Sequence, residues 1–279
     1  MAHERIIIEP VAGAIGAELS GVDLRKPLDA QMVEEIRDAL FRHLLIFLRD
    51  QDITSEQYLA FARNFGGVLP YPLVQGLDDF PDIVPVLKLP HETVNFGGLW
   101  HADTTYLSEP PMGTMLLARE LPPCGGDTIW ANMYLAYDTL SDGMKDMLDG
   151  LTAVFSSEKA GATATREDRR SDAPKDDSGL QTTAEHPVVR THPVTGKKIL
   201  FVNFGHTVRF KGMTKAESQP LLGYLFRHQV KPEFTCQLRW RPGTIAFWDN
   251  RASQHNPIND YHGYKRLMHR ITLAGEKPF

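Results

Sequence analysis

Cysteine is nearly missing from the 279-residue sequence. Only Cys124 and Cys236 occur, far apart, which excludes a disulfide framework and a cysteine-built zinc site. Cys124 stands in a Pro-Pro-Cys-Gly-Gly turn and Cys236 in a strand-like run. Both are expected to fill packing roles, as free cysteines commonly do, and they fit a reducing compartment. Long apolar runs are missing too. No stretch approaches the ~20 apolar residues that a membrane span needs. The N-terminal MAHERIIIEPV is too short in apolar residues for a signal-peptide core, and Lys277-Pro278-Phe279 is no targeting tripeptide. A cytoplasmic protein without membrane partners is therefore expected. An excess of one charge is also lacking: 30 Lys and Arg stand against 35 Asp and Glu, a net −5 with no basic patch, which argues against a nucleic-acid partner.

What remains is an ordinary globular composition, 42% hydrophobic and 23% charged, long enough to bury a sizeable core. No internal repeat is visible, and residues 1–279 read as a single domain. Arg5 to Glu9 reads as a strand. Ala30 to Leu44 reads as an amphipathic helix with Val33, Ile36, Leu40 and Leu44 on one stripe. Leu45 to Leu48 is a short all-apolar strand. Thr54 and Gln57 form a capping-box pattern that opens a second helix, ended by Gly66-Gly67. From Trp100 onward, short β-like runs alternate with Pro and Gly clusters: Met112 to Arg119, Val188 to Thr191, Ile199 to Val202, Gln237 to Arg241, Thr244 to Trp248 and Arg266 to Ala274. Such spacing predicts a mainly β sandwich or barrel, with one helix, Met133 to Leu151, interrupting it. The polar segment of about 156–185 is either a surface insertion or an active-site lid.

Four groups of residues carry candidate chemistry. In Trp100-His101-Ala102-Asp103, an extended backbone would aim His101 and Asp103 to one side, offering an imidazole and a carboxylate to a divalent metal. Far downstream, the apolar run ending in Trp248-Asp249-Asn250-Arg251 leads into a polar turn that delivers His255. Together these three would make a two-histidine, one-carboxylate triad. Its three open positions suit a bidentate oxoacid and O₂ on Fe(II), whereas a structural zinc site would close its shell. In Arg266-Leu-Met-His-Arg270, a strand would put both arginines on one face, roughly 13 Å apart at ~3.3 Å per residue. That is too far for one carboxylate and suited to two anions, one at each planar fork. Finally, Gly125-Gly126-Asp127-Thr128 permits a tight turn that presents the Thr128 hydroxyl as a donor. His186 and His192 precede prolines and are expected to shape turns. His269 would point away from the arginine face.

In this order the pieces resemble the taurine dioxygenase and 2,4-dichlorophenoxyacetate dioxygenase (TauD/TfdA) family. The matching text is GAIGAELSGVDL, WHADTTYLSEPP, ELPPCGGDTIWANMYLAYDTL, HPVVRTHPVTGKKILFVN, IAFWDNRASQH and RLMHRITLAGEKPF. Only the stretch between Phe65 and Leu99 and the 156–185 insertion match poorly. The resemblance implies a double-stranded β-helix, or jelly roll, with flanking helices. It implies Fe(II) at His101, Asp103 and His255, and 2-oxoglutarate at Thr128 and Arg266, with Arg266 on the distal carboxylate. It implies O₂ as cosubstrate, succinate and CO₂ as products, C–H hydroxylation of a small anionic substrate, and a homodimer or homotetramer. Arg270 would contact the substrate anion or assist the cosubstrate. The sequence departs from taurine-specific members: no histidine follows the second helix, where Gly67-Val68-Leu69-Pro70-Tyr71 stands, and Gly97, Thr104 and His206 replace an asparagine, a valine and an aromatic. Tyr71, Thr104 and His206 are therefore the expected substrate contacts, for a sulfonate, alkyl sulfate, carboxylate or aryloxyalkanoate rather than for taurine. Two other readings compete: a jelly-roll binding protein without catalysis, and a metal-dependent hydrolase using the same three ligands.

Overall fold

A computed structural model describes residues 5–71, 74–95, 97–158 and 183–279. Most of the 156–185 insertion lies outside those residues, and the lid reading with it. The architecture is mainly β with flanking helices. In chain order the strands are β1 (Ile7–Pro10), β2 (Ala17–Ser20), β3 (Leu45–Leu48), β4 (Val68–Leu69), β5 (Val84–Lys88), β6 (Gly113–Glu120), β7 (Thr128–Asn132) and β8 (Thr152–Ser156). They continue as β9 (Thr183–Pro187), β10 (Val189–Thr191), β11 (Lys198–Leu200), β12 (Thr207–Phe210), β13 (Thr235–Leu238), β14 (Ile245–Asp249), β15 (Ser253–Pro257) and β16 (Arg266–Leu273). The helices are α1 (Ala30–His43), α2 (Ser55–Arg63), α3 (Met133–Asp138), α4 (Asp142–Leu148) and α5 (Lys215–Gln229).

Eight strands form the principal sheet, in the order β1-β2-β3-β14-β6-β16-β4, with β5 also paired to β16. β3 and β14 are almost wholly apolar because both faces are covered. On β3, Ile46 and Leu48 face α1 and α2, joining Ile36, Leu40, Tyr58 and Phe61, while Leu45 and Phe47 face the opposite layer. β14 divides the same way: Ile245 and Phe247 lie with the helices, Ala246 and Trp248 on the far side. That far side packs on the three-stranded sheet β13-β7-β15 and the three-stranded sheet β12-β8-β9, through Trp130, Phe155 and Leu238. The period-2 alternation of strand side chains thus builds two cores from one sheet.

The helix signals hold. Asp29 caps α1, whose last residue is followed by Leu44 in the left-handed region, and Thr54 and Gln57 close a reciprocal capping box on α2. Several expectations need correction. The helix expected over Met133–Leu151 is two short ones, α3 and α4, because Ser141 caps a new start. α2 ends at Arg63, ahead of Gly66-Gly67. His255 is delivered by a strand of its own, β15, not by a turn. Cys124 is exposed and does not pack, whereas Cys236 is buried on β13. His186 lies within β9 and shapes no turn; its Nε2 lies 3.0 and 2.9 Å from the carbonyls of Thr105 and Leu107.

Candidate active site

Two chain segments remote in sequence are joined by a pair of backbone hydrogen bonds. The His101 N–H donates to the His255 carbonyl at 3.0 Å, and the His255 N–H returns the bond to His101 at 2.8 Å. This isolated antiparallel bridge sets the imidazoles side by side, with ring centroids 4.3 Å apart. β15 is held on its other edge by β7, where His255 pairs with Trp130. The indoles of Trp130 and Trp248 back the His255 ring.

The strand expected at His101–Asp103 is a single bridge residue, His101. The chain turns after Ala102, and Thr104 has φ +43°, a strained value for a β-branched residue. Asp103 nevertheless reaches the two histidines. One ligand atom from each of His101, Asp103 and His255 lies within 4.8 Å of the others, a geometry found at no other His, Cys, Asp and Glu group among the described residues. The His101 Nδ1 sits 2.6 Å from the Leu99 carbonyl. That contact engages Nδ1 with the backbone and turns Nε2 toward Asp103 Oδ1, 3.6 Å away. Burial, and then the neighbouring His101, pull His255 down to about 3, so its imidazole is neutral, the form that binds metal. For Asp103, burial pushes upward but is outweighed by Arg270 and the two histidines, which hold the carboxyl well below the usual range. Two imidazoles beside an ionised carboxylate suit a divalent cation with open positions.

Gly97 (φ +69°) lies against this cluster. A Cβ there would come within 3.0 Å of His101 Cε1 and 3.3 Å of Nε2. The loss of a side chain at that position therefore opens the face of the imidazole.

The arginine face is as the alternation predicts. Arg266 and Arg270 are 5% and 6% exposed, and His269, on the other face, accepts from Arg119 Nε at 3.3 Å. Arg266 lies between the rings of Trp240 and Tyr261, and its Nε and Nη2 have no hydrogen-bond partner within the protein. Burial lowers its pKa from the ordinary value while Tyr261 opposes this, yet an arginine keeps its charge. Two unbonded donors on a buried cation call for an anion. Beside it, the Thr128 hydroxyl accepts from Trp240 Nε1 at 3.0 Å, which leaves its own proton to donate. Gly126 (φ +73°) makes room: a Cβ there would meet Arg266 Cδ at 3.3 Å and Tyr261 Cδ1 at 3.2 Å.

Arg270 belongs to the other end. Its Nη2 lies 3.1 Å from Asp103 Oδ1, close enough for charge attraction but not aligned as a hydrogen bond, and its guanidinium covers the Tyr71 ring at 4.8 Å. His101, His255, Thr128, Arg266 and Arg270 line one pocket with Val86, Leu116, Trp130, Trp248 and Pro257. Apolar walls with a few convergent polar groups are the make-up of a small-ligand cleft. His206 approaches from the opposite layer, its ring 5.9 Å from His101 and 5.0 Å from Tyr106, with Nδ1 2.9 Å from the Thr105 hydroxyl. Thr104 Oγ1 is buried without a partner. The structure thus brings His101, Asp103 and His255 together and sets Thr128, Arg266 and Arg270 in the same pocket, with Tyr71 against Arg270 and His206 against His101. Sequence reasoning missed Trp240 and Tyr261, which frame Arg266, and Thr114 and Asn250, which hold Asp103. All four are contacts across the sheets, which no local pattern announces.

The family model described as "Taurine catabolism dioxygenase TauD, TfdA family" matches residues 7–272. An α-ketoglutarate-dependent sulfate ester dioxygenase from Pseudomonas putida is 37% identical over 276 residues, 97% of this chain and 90% of that protein. An alkylsulfatase from Acinetobacter baylyi is 35% identical over 280 residues, 98% of this chain and 86% of that one. Among solved structures, AAD-2 in complex with Mn(II) and N-oxalylglycine superimposes with a TM-score of 0.80 at 30% identity, covering 98% of both chains.

Proposed function

The chain belongs to the taurine catabolism dioxygenase TauD, TfdA family, and from that premise we propose that it hydroxylates a small organic anion, a sulfate ester before others. It is a 2-oxoglutarate-dependent non-haem iron dioxygenase, with Fe(II), 2-oxoglutarate and O₂ as its reactive partners. Relatives named as dioxygenases displace both the hydrolase and the inactive binding module. The sheets packed across the Trp130 and Phe155 core support the jelly-roll reading of the fold.

The donor set fits the metal. His101, Asp103 and His255 would hold it, and the bound iron would couple 2-oxoglutarate decarboxylation by O₂ to C–H oxidation. The protein's own contribution is orientation. Arg266 and Thr128 would take the distal carboxylate of 2-oxoglutarate, with the orphaned Arg266 donors as the supporting feature. Arg270 would take the substrate anion, with the unpartnered Thr104 hydroxyl as a second donor and Tyr71 and His206 as walls. Trp130, Trp248 and Leu116 line the pocket and would keep water from the reacting carbon.

One observation carries the proposal: two buried arginines on one strand face, one beside Thr128 and one beside Asp103, make separate seats for two anions. The two relatives described above are named for sulfate-ester chemistry, which favours sulfate at the second seat. Hydroxylation of the carbon bearing the sulfate oxygen gives an adduct that splits into an aldehyde and inorganic sulfate. The test offers alkyl sulfates, alkanesulfonates and aryloxyalkanoates to the protein with Fe(II), 2-oxoglutarate and air. Alkyl sulfates are expected to give matched yields of succinate and sulfate. Succinate formation no faster with any of these than with none would defeat the proposal.

A further inference from the structure

Asp103 is the one member of the triad held in neither a strand nor a β-bridge. Residues 103–107 follow a series of turns, and Thr104 is strained. The carboxylate is nevertheless 2% exposed and tightly placed. Asn250, which directly follows β14, bonds both backbone groups of Asp103. Its Oδ1 accepts the Asp103 N–H at 2.6 Å, and its Nδ2 donates to the Asp103 carbonyl at 3.1 Å and to the Pro111 carbonyl at 3.2 Å. Asn250 in turn donates its backbone N–H to Met112 at 2.9 Å, so the turn is tied to the principal sheet. The side chain has a separate partner. Thr114, fully buried on β6, donates its hydroxyl to Asp103 Oδ2 at 2.8 Å. The other oxygen, Oδ1, is the one facing His101 Nε2 and Arg270.

We propose that Thr114 is a positioning residue that turns the Asp103 carboxylate so that Oδ1 alone is offered to the metal. The inference rests on His101, Asp103 and His255 being the metal ligands. A carboxylate has two equivalent oxygens, and a free one rotates or chelates through both. Chelation through both would consume a coordination position that the two cosubstrates need. With Oδ2 engaged by a hydroxyl from a central strand, and the backbone clamped by Asn250, rotation would break a buried hydrogen bond. Thr114 therefore acts on metal affinity and on the number of open positions, without touching substrate.

The test measures Mn(II) binding to the full chain from the electron paramagnetic resonance signal of free Mn(II). The proteins are the unmodified chain, Thr114→Val, Thr114→Ser and Asp103→Ala. Thr114→Val keeps shape and loses the hydroxyl, and is expected to weaken Mn(II) binding by about 10–100-fold. Thr114→Ser keeps the hydroxyl and should stay within about 3-fold, as expected if the hydroxyl alone carries the effect. Unchanged affinity in Thr114→Val, or equal losses in Thr114→Val and Thr114→Ser, overturns the inference. Should Thr114→Val fail to fold, Thr114→Ala against Thr114→Ser gives the same comparison. Asp103→Ala separates the two levels. If it binds Mn(II) as well as the unmodified chain, the triad itself is wrong. If it loses Mn(II) while Thr114→Val does not, only the positioning role falls.

Discussion

A guanidinium that is 5% exposed and keeps two unbonded donors is costly in a protein interior until an anion completes it. Arg266 therefore has a sharp expected phenotype. Each charge-assisted hydrogen bond is worth about 1.5–3 kcal/mol. Arg266→Ala should thus raise the 2-oxoglutarate requirement about 100-fold, read as the KM for 2-oxoglutarate at saturating substrate, with a much smaller change in the KM of the prime substrate. A larger effect on the prime substrate would exchange the two arginine roles. The glycine beside it gives a graded version. Gly126→Ala forces a Cβ into a φ of +73°, against Arg266 and Tyr261. A several-fold higher 2-oxoglutarate KM is expected, and an unchanged KM would place the cosubstrate carboxylate elsewhere.

At the level of elements, what was legible in the sequence was whatever depends on near neighbours. The stripe Val33, Ile36, Leu40 gave α1, and Thr54 with Gln57 gave the start of α2. The period of two in β16 correctly separated Arg266 and Arg270 from His269. Where partners are remote, legibility ended. Ser253 to Pro257 has a polar, weakly β-prone composition and becomes a strand only because β7 and His101 satisfy its two edges. His101 and Asp103 meet where a single β-bridge gives way to a turn, with no named strand across them. The proposed substrate contacts Tyr71, Thr104 and His206 are spread along the sequence, and no local pattern joins them. α2 also bears on the site: Tyr58 donates to the His269 carbonyl at 3.2 Å, bracing β16 between the two arginines. Removing its cap with Thr54→Ala should cost about 1 kcal/mol. Urea unfolding would read that loss, and an unchanged midpoint would mean the capping box is dispensable.

On the scale of the whole molecule, the C-terminal residues are locked to the site's scaffold by a buried charge cluster. Asp249 accepts two hydrogen bonds from Arg251, at 2.9 and 2.7 Å, and lies 2.9 Å from His192 Nε2. Glu276 reaches both Arg190, at 2.8 Å, and Arg251, at 3.6 Å. For Asp249, burial pushes upward but is outweighed by Arg251 and His192, and its carboxyl is held far below the usual range. A depressed folded-state pKa stabilises the protein above the unfolded value of about 4 and loses that contribution as pH falls toward the folded value. Thermal stability should therefore decline on acidification below about pH 4. Asp249→Asn should lower stability at pH 7 by about 3–5 kcal/mol and flatten that acid limb. An acid limb identical in the variant would remove Asp249 from the balance. The cluster matters because Asn250, next in the chain, holds Asp103, so charge pairing, C-terminus and metal site form one mechanical unit. This unit is proposed to seat Fe(II) and 2-oxoglutarate side by side. The direct measurement is an anaerobic titration of 2-oxoglutarate into the Fe(II)-loaded protein, followed by visible absorption. A weak charge-transfer band that needs both additions, and is lost in Asp103→Ala, is the expected result. Fe(II) bound, with no band at any 2-oxoglutarate concentration, would contradict it.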